Sequence, residues 1–451
     1  MSVNLPAWRD SGIPTPWQCG DLNVGKIINY IYIVWVDQMK FINKLFAFLL
    51  IVLFAGCDVS GTDDSIDRNL PRELSVQEQM LAQASNDFSI RMMHMLLDKE
   101  GSSSFFVSPL SISTAFGMAL NGTDGDTYEQ MRDFFGFDGM TNEEISRAFK
   151  ELIELLVTLD PKVVMNIANS VWIREGYPVL QPFLDSNRNY FNAEIQELDF
   201  GRSDAPDIIN AWINEKTRGL IEKMIEKIGP DVIMYLINAI YFKGDWTIQF
   251  DPKETRDELF YLPGGGTKNV PMMRARQSFR YYQSDDWTAL DMWYGREGYS
   301  FIALVPSGNR TLDEMAPQLN MLQFDNITNN LLQDTINVFI PKFELEYEIE
   351  DFPDDLKKMG LTLPFDQALA DFSRINSEDQ LFISNVLHRA VIKLDEEGSE
   401  AAAVTVIEIS RTSTGGERSY ITIRLDRPFL FFIRENNTNT ILFMGAYTGS
   451  D

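Results

Sequence analysis

The sequence predicts a fold that mixes α-helices and β-strands, because two kinds of hydrophobic pattern occur along it. Apolar residues recur at near-helical spacing over residues 80–96, which predicts an amphipathic helix there. A second amphipathic helix is predicted over residues 209–225, with a break at Gly219. The apolar runs at residues 167–173 and 236–250 instead predict strands.

Length and composition limit the classes of fold and function. The chain has 451 residues, enough for one large domain or two ordinary domains with a sizeable core. Its 39 Lys and Arg against 66 Asp and Glu give a net charge of −27, which argues against a nucleic-acid partner. With two Cys and two His, a disulfide framework and Cys/His metal sites are nearly excluded. We therefore predict neither a metal nor a cofactor.

The chain carries no catalytic signature. It contains neither a G-x-S-x-G nucleophile elbow nor a Walker A phosphate loop. The three glycines at 264–266 predict a hairpin turn rather than a phosphate-binding loop. His388 lies in an alternating apolar run, where a hydrogen-bonded core histidine is the usual finding, and catalysis would need a positioned nucleophile. We expect no enzymatic activity.

The N-terminal region predicts an export signal. From Met39 the chain reads MKFINKLFAFLLIVLFAGC, a basic start followed by an apolar core, and the last residues resemble the lipobox of bacterial lipoproteins. We expect Met39 to be the true start, so that residues 1–38 are an upstream extension added ahead of it. Residues 39–56 would be a lipoprotein signal peptide and Cys57 the lipidated N-terminus. The alternatives are an ordinary secretory signal or a membrane anchor. Residues 57–79 read as an acidic tether to a domain over 80–451.

The stretch 396–413, EEGSEAAAVTVIEISRTS, suits either a strand or a mobile connector. As a strand, it would present one face made of Ser399, Ala401, Ala403, Thr405, Ile407 and Ile409. Glu400 and Glu408 fall on the opposite face, so no charge would enter a core. The alternative is an exposed Ala-rich helix beginning at Ser399, since Ala is the best helix former.

Blocks of the sequence resemble, in order, those of the serpin family. Residues 381–407, LFISNVLHRAVIKLDEEGSEAAAVTVI, resemble the strand and proximal hinge of the family's reactive-centre loop. Other matching blocks are SSFFVSPLSISTAFGMALNGTDGDT (103–127), LINAIYFKGDWTIQF (236–250), VFIPKFELEYE (338–348), LKKMGLTLPFD (356–366) and RPFLFFIRENNTNTILFMG (427–445). The resemblance covers roughly residues 80–449. It implies an α+β fold of three β-sheets with eight to nine helices and an exposed reactive-centre loop.

The same resemblance implies three groups of site residues. The shutter, a polar cluster beneath the main sheet, would comprise Ser108, Ser111, Asn238 and His388. The breach, where the loop first inserts, would comprise Trp246, Lys342 and Glu396, with the lysine and the glutamate paired. The hinge would comprise Glu396, Glu397, Gly398, Ser399, Glu400, Ala401, Ala402 and Ala403. On local grounds alone, Ser108 would equally well be a helix N-cap.

The function implied is suicide inhibition of a serine or cysteine protease. In the family the protease attacks the exposed loop, and the cleaved loop then inserts into the main sheet before the acyl-enzyme is hydrolysed. Small hinge residues and the absence of proline between Gly398 and Thr412 favour inhibition. The alternative is a non-inhibitory serpin acting as a binding or carrier protein. We expect a monomer that contacts a membrane only through its N-terminal lipid, in the bacterial cell envelope or outside the cell.

The scissile bond is predicted from the family's common loop spacing. Counting fifteen residues from Gly398 places the bond between Thr412 and Ser413. A small β-branched residue before the bond indicates an elastase-like or subtilisin-like target. A loop shorter by one residue would place the bond between Arg411 and Thr412 and indicate a trypsin-like target, and loop lengths vary.

Overall fold

The computed structural model describes residues 70–399 and 420–450, which all belong to one compact unit, 66–451. Within these ranges the α-helices are α1 (Val76–Glu100), α2 (Pro109–Leu120), α3 (Gly125–Phe134), α4 (Asn142–Thr158), α5 (Gln181–Phe191), α6 (Ala205–Lys216), α7 (Leu312–Met315), α8 (Met321–Asn329) and α9 (Phe352–Lys358). None of these helices combines the length and the apolar character that a membrane crossing requires.

Fifteen strands are found in the same described ranges. They are β1 (Phe105–Val107), β2 (Val163–Arg174), β3 (Glu194–Leu198), β4 (Met234–Asp245), β5 (Arg256–Tyr261), β6 (Thr267–Gln283), β7 (Trp287–Tyr294), β8 (Tyr299–Pro306), β9 (Leu332–Pro341), β10 (Phe343–Glu348), β11 (Arg389–Leu394), β12 (Gly398–Ser399), β13 (Thr422–Arg424), β14 (Phe429–Glu435) and β15 (Ile441–Tyr447). The predicted strands at 167–173 and 236–250 correspond to β2 and β4, and glycines 264–266 form the turn between β5 and β6.

The folded domain begins before the predicted onset of its first helix. Helix α1 starts at Val76, so the tether predicted to reach residue 79 ends a few residues earlier. Ser75 caps the helix by accepting from the Glu78 backbone N–H, and the Glu78 carboxylate accepts in turn from the Ser75 N–H. This reciprocal capping box fixes the first turn, and the S-x-x-E pattern was readable in the sequence.

Helix α6 is shorter than predicted. It ends at Lys216, close to the break predicted at Gly219, and does not resume toward residue 225. Arg218 and Gly219, with φ of 51° and 89°, leave the right-handed helical region. The apolar residues after this point still pack, because Ile221 and Ile225 join α6 in a small core on the outer face of β4. A hydrophobic period can therefore continue after a helix has ended.

The described strands form two hydrogen-bonded sheets, and the larger one divides at β6 into two groups of strands, consistent with the three-sheet fold that the resemblance implied. In one hydrogen-bonded network the order is β1-β15-β14-β8-β7-β6-β9-β13, with β5 also paired to β6. The long strand β6 pairs with β7 only at residues 280–283 and with β5 and β9 over the rest of its length. It therefore belongs to two groups of strands, and the six-stranded sheet is the third.

The six-stranded sheet has the order β10-β11-β12-β4-β2-β3. At its centre lies β12, described as Gly398 and Ser399 where the first described range ends, while its neighbours β4 and β11 are longer. Helix α2 lies beneath this sheet, where it contacts β4 and is almost wholly buried. The site discussed below is the gap between β4 and β11.

Residues 381–388 are not a strand, although the sequence predicted one. Strand β11 begins only at Arg389, where pairing with β10 begins. A cavity of about 680 Å³ separates residues 381–388 from the start of β4. An alternating sequence needs an adjacent strand with free backbone groups before it becomes a strand, and among the described residues this segment is paired with none.

Candidate functional site

The hinge is already inserted at one end of the gap between β4 and β11. Gly398 and Ser399 pair antiparallel with Asp245 and Gly244 of β4, while Ser399 pairs on its other side with Leu394 of β11. The two residues thus form the first part of a central strand. We call the space between β4 and β11, from Ser399 to the cavity beside the start of β4, the slot.

Position 398 has no room for a side chain. A Cβ atom placed on Gly398 would lie 2.1 Å from the carbonyl oxygen of Gly244, well inside van der Waals contact. The neighbouring backbone could not move away without breaking the strand pairing. The glycine at the start of the predicted hinge is therefore required by close backbone approach.

The predicted breach pair is brought together. The Lys342 Nζ lies 2.8 Å from Oε2 of Glu396, and the hydroxyl of Thr255 donates to Oε1 at 2.7 Å. Burial alone would raise the pKa of the Glu396 carboxyl, but hydrogen bonds from Lys342 and Thr255 outweigh it and the pKa is lowered. Glu396 is thus held as a carboxylate beside the hinge.

Trp246, the third predicted breach residue, binds the hinge backbone. Its indole Nε1 donates to the carbonyl of Asp395 at 2.8 Å, and its backbone N–H donates to the carbonyl of Glu397 at 2.7 Å. These bonds fix the turn that leads from β11 into β12. The roles of Asp395 and Thr255 were not predicted from the sequence.

Tyr294 is the most informative residue that sequence reasoning missed. It ends β7, is fully buried, and stacks on Trp246 with ring centroids 4.4 Å apart. Its hydroxyl lies 2.5 Å from the Ser399 Oγ. Burial raises the Tyr294 pKa well above its usual value, so the hydroxyl stays neutral. No local pattern distinguishes Tyr294 from an ordinary core aromatic.

At the other end of the slot, Ser108 and His388 are in direct contact. The backbone N–H of Ser108 donates to Nε2 of His388 at 3.1 Å. The Ser108 hydroxyl donates to the carbonyl of Leu442 at 2.7 Å and accepts from the N–H of Ser111 at 3.2 Å. Ser108 is therefore both the N-cap of α2 and a member of the buried polar cluster.

His388 is neutral in this arrangement. Burial lowers its pKa to about 3. Because Nε2 accepts a hydrogen bond from an amide, the proton of the neutral ring is assigned to Nδ1. The residue is a buried, hydrogen-bonded histidine, as its position in an apolar run suggested.

The Asn238 side chain does not join His388 in the predicted shutter. The Asn238 side-chain amide donates instead to Oδ1 of Asn169 on β2, at 2.7 Å, and its own Oδ1 is buried without a partner. Only the Asn238 backbone carbonyl reaches the cluster, accepting from the Ser111 hydroxyl at 3.5 Å. The physical reason is their separation, because Asn238 and His388 lie on opposite walls of the cavity.

The cavity is bounded by three elements. Residues 234–238 of β4 form one wall and residues 381–388 the other, while the floor comes from one face of α2, including Ile112, Ala115 and Phe116. Its volume of about 680 Å³ is that of a strand segment or a sizeable ligand.

Several predicted site residues lie outside the described residues. They are Cys57, Glu400, Ala401, Ala402, Ala403, Arg411, Thr412 and Ser413. Within residues 70–399 and 420–450, no group of three or more His, Cys, Asp or Glu side chains is arranged to hold a metal ion.

Comparison with known proteins identifies the family. The model of the serpin family, described as serine protease inhibitor, matches residues 83–449. The chain is 32% identical over 406 residues to Iripin-8 of Ixodes ricinus, covering 88% of this chain and 98% of that protein. It is also 32% identical to the leukocyte elastase inhibitor of Equus caballus, covering 82% and 99%.

A solved structure gives the same assignment. Thyroxine-binding globulin in complex with thyroxine superimposes with a TM-score of 0.73 at 26% identity, covering 81% of this chain and 98% of that one. These relatives are inhibitors or binding proteins rather than enzymes. The match over most of the chain, on a fold with the hinge between two central strands, shows that the protein belongs to the serpin family.

Proposed function

We propose that the protein is a suicide-substrate inhibitor of serine proteases, which traps the acyl-enzyme by inserting its reactive loop into the slot. The single observation that carries this proposal is the pairing of Gly398 and Ser399 between β4 and β11. Within the described residues β12 pairs over two residues, whereas β4 and β11 on either side of it are long enough to carry longer ladders. The residues that follow the hinge in sequence can complete those ladders.

The chemistry would belong to the target protease. Its serine hydroxyl attacks the carbonyl carbon of Thr412, an ester to the serine oxygen forms, and the peptide bond to Ser413 breaks with the proton passing to the new amine. Hydrolysis of the ester would release an active protease. Insertion of the loop before that step drags the acylated serine away from its catalytic partners, and turnover stops.

The observed register supports this proposal. Ser399 is buried and faces Tyr294, so alternate residues beyond it would also face the body of the protein. Six residues further along the pairs that Ser399 makes with Leu394 and Gly244, Thr405 would lie opposite both His388 and Asn238. A hydroxyl there could satisfy the buried Oδ1 of Asn238. Glu400 and Glu408 would face outward.

The free energy released by insertion is large enough to drive the step. About ten new ladder hydrogen bonds, each worth ~0.5–1.5 kcal/mol net, would release on the order of 10 kcal/mol. That is comparable with the whole stability of an ordinary domain. Insertion of a strand into the sheet would therefore supply enough free energy to move a bound protease.

The target class follows from the residue before the bond. Thr412 favours an elastase-like or subtilisin-like protease, in keeping with the name of the leukocyte elastase inhibitor to which the chain is similar. If the bond lies after Arg411, the target is trypsin-like instead. A cysteine protease that attacks the same carbonyl would be trapped in the same way, as a thioester.

A second function is favoured by the cavity of about 680 Å³ at the end of the slot. A non-inhibitory serpin that binds or carries a small ligand would use such a space, and thyroxine-binding globulin is a serpin named for a ligand. The small hinge residues favour the inhibitor over this alternative, because a carrier needs no strand insertion.

The deciding experiment mixes the chain lacking residues 1–57 with trypsin, elastase, chymotrypsin and subtilisin in turn. A band near the summed mass that survives denaturing electrophoresis, with a released peptide beginning at Ser413 or Thr412, is the expected result. Cleavage in the loop by each enzyme, with no such band, would reject inhibition of these classes and favour the carrier.

We further propose that the mature protein begins at a lipidated Cys57 and is held at the bacterial cell envelope. The basic start, the apolar core and the residues before Cys57 support this proposal. Mass spectrometry of the native protein should find a diacylated or triacylated cysteine at its N-terminus. A peptide from residues 1–38 in the mature protein would contradict it.

A further inference from the structure

We propose that Tyr294 is the positioning residue for loop insertion: its hydroxyl hydrogen-bonds to Ser399 and fixes the register in which the hinge lies between β4 and β11. The consequence for trapping rests on the proposed inhibitory function, whereas the contact between Tyr294 and Ser399 can be tested without a protease. Neither residue reacts with a protease, so Tyr294 would act only through where it holds Ser399.

The ring of Tyr294 has one available position. It stacks on Trp246, and Phe242 meets it edge-on with centroids 5.1 Å apart. On its third side, a Cβ atom at Gly244 would lie 2.8 Å from the ring, so the ring packs directly on the β4 backbone. A ring held on three sides places its hydroxyl at a fixed point at the end of the slot.

The hydroxyl at that point meets the hinge side chain. The Tyr294 hydroxyl and the Ser399 Oγ are 2.5 Å apart, and Tyr294 and Ser399 are 0% and 3% exposed. Trp246 couples the same ring to the turn before the hinge, because its indole binds the carbonyl of Asp395. One aromatic pair thus contacts the hinge at both its side chain and its backbone.

This contact discriminates between registers. A slip of the strand by one residue would turn Glu400 toward the buried ring, which would desolvate a carboxylate. A slip by two residues would place Ala401 there, and the tyrosine hydroxyl would be buried without a partner, at a cost comparable to a lost hydrogen bond. Of these three registers, only the one with Ser399 at the ring satisfies both requirements.

The test uses four variants of the full chain. Tyr294→Phe keeps the ring stack and removes the hydroxyl. Ser399→Val and Ser399→Thr have nearly the same shape, but only the threonine keeps a hydroxyl. The matched control is Tyr299→Phe, because Tyr299 is an equally buried tyrosine whose hydroxyl donates to the carbonyl of Leu156, away from the hinge.

The measured quantities are the partition between trapped and released protease and the rate of acylation. We expect Tyr294→Phe and Ser399→Val to increase the released fraction relative to the trapped one by about 2- to 10-fold, since a lost buried hydrogen bond changes a rate by that factor. The acylation rate should stay unchanged, and Ser399→Thr and Tyr299→Phe should behave as wild type. An equal rise in Tyr299→Phe, or none in Tyr294→Phe, would overturn the proposal.

Hydrogen exchange of the peptide spanning residues 394–399 gives a readout that needs no protease. We expect faster exchange of the Gly398 and Ser399 amides in Tyr294→Phe than in Tyr299→Phe. If the wild-type protein traps no protease, the proposed inhibitory function is wrong. The difference in exchange between Tyr294→Phe and Tyr299→Phe then still tests whether the Tyr294 hydroxyl positions Ser399. Equal exchange in the two variants would reject that positioning role.

Discussion

At the scale of single residues, His388 makes the polar cluster under the slot sensitive to pH. Burial lowers its pKa to about 3, against an ordinary value near 6.5. A group whose pKa is lower in the folded state binds its proton more readily after unfolding. Its stabilising contribution is therefore complete above about pH 6.5 and is lost as the pH falls toward 3.

We therefore predict how the stability difference between wild type and His388→Asn depends on pH. The difference in the free energy of unfolding between wild type and His388→Asn should fall as the pH is lowered from 7.5 to 4.5, with a slope of up to about 1.4 kcal/mol per pH unit below pH 6.5. Denaturant unfolding at several pH values measures it, and subtraction removes groups common to both proteins. A difference that is flat with pH would show that His388 is not buried and neutral.

The hinge side chain Ser399 gives a second prediction at this scale. It is 3% exposed and faces Tyr294, so Ser399→Arg would have to bury a guanidinium to insert. We expect this variant to be cleaved by the protease as a substrate, with little or no stable complex. The matched control is Glu400→Arg, which places the same charge on the outward face and should keep trapping. Trapping by Ser399→Arg at the wild-type level would contradict the insertion geometry.

At the scale of elements, residues 381–388 show that strand formation depends on a neighbour. Their sequence alternates as a strand does, yet the strand begins only at Arg389, where β10 provides a partner. The cavity beside them separates them from β4. Completion of the central strand would supply the missing partner.

We therefore expect these residues to become a strand when the loop is cleaved and inserted. Hydrogen exchange of a peptide covering residues 381–387 should slow markedly after cleavage, while exchange in β14, which is already paired on both sides, should not change. If cleavage leaves exchange in 381–387 as fast as before, the inserted strand does not reach this end of the slot.

At the scale of the whole molecule, the proposed insertion of the loop into the slot would release free energy. Insertion would add ladder bonds and fill a cavity of about 680 Å³ without unfolding anything else. The described fold is thus expected to be less stable than its own cleaved form. This property would follow from the topology, because the inserted strand would be central rather than at an edge.

Cleavage in the loop should accordingly raise the thermal stability of the protein. If insertion releases on the order of 10 kcal/mol, the midpoint of thermal unfolding should rise by roughly 10–20 °C. Differential scanning calorimetry before and after cleavage measures the shift. Ala401→Pro is the control, since proline removes a ladder donor from the inserting strand and should reduce or abolish the rise. An unchanged midpoint in the cleaved wild-type protein would argue against insertion.

Much of the fold and of the site was predictable from residues with local signatures. The paired Lys342 and Glu396, the indole of Trp246 at the hinge, and Ser108 beside His388 are brought together as expected. The capping box at Ser75 and Glu78 was also readable but was missed. Each of these depends on a residue type at a fixed position in a motif.

The amino-acid sequence by itself determined the α+β class, the family, the small hinge residues and the absence of catalytic motifs. Tertiary structure alone decided that Tyr294 meets Ser399, that Asn238 binds Asn169 instead of His388, and that residues 381–388 line a cavity without forming a strand. The physical reason is that composition and periodicity act over neighbouring residues, whereas these contacts join strands far apart in the chain. Whether such groups meet depends on which strands the sheet holds side by side and on the slot it leaves open between them.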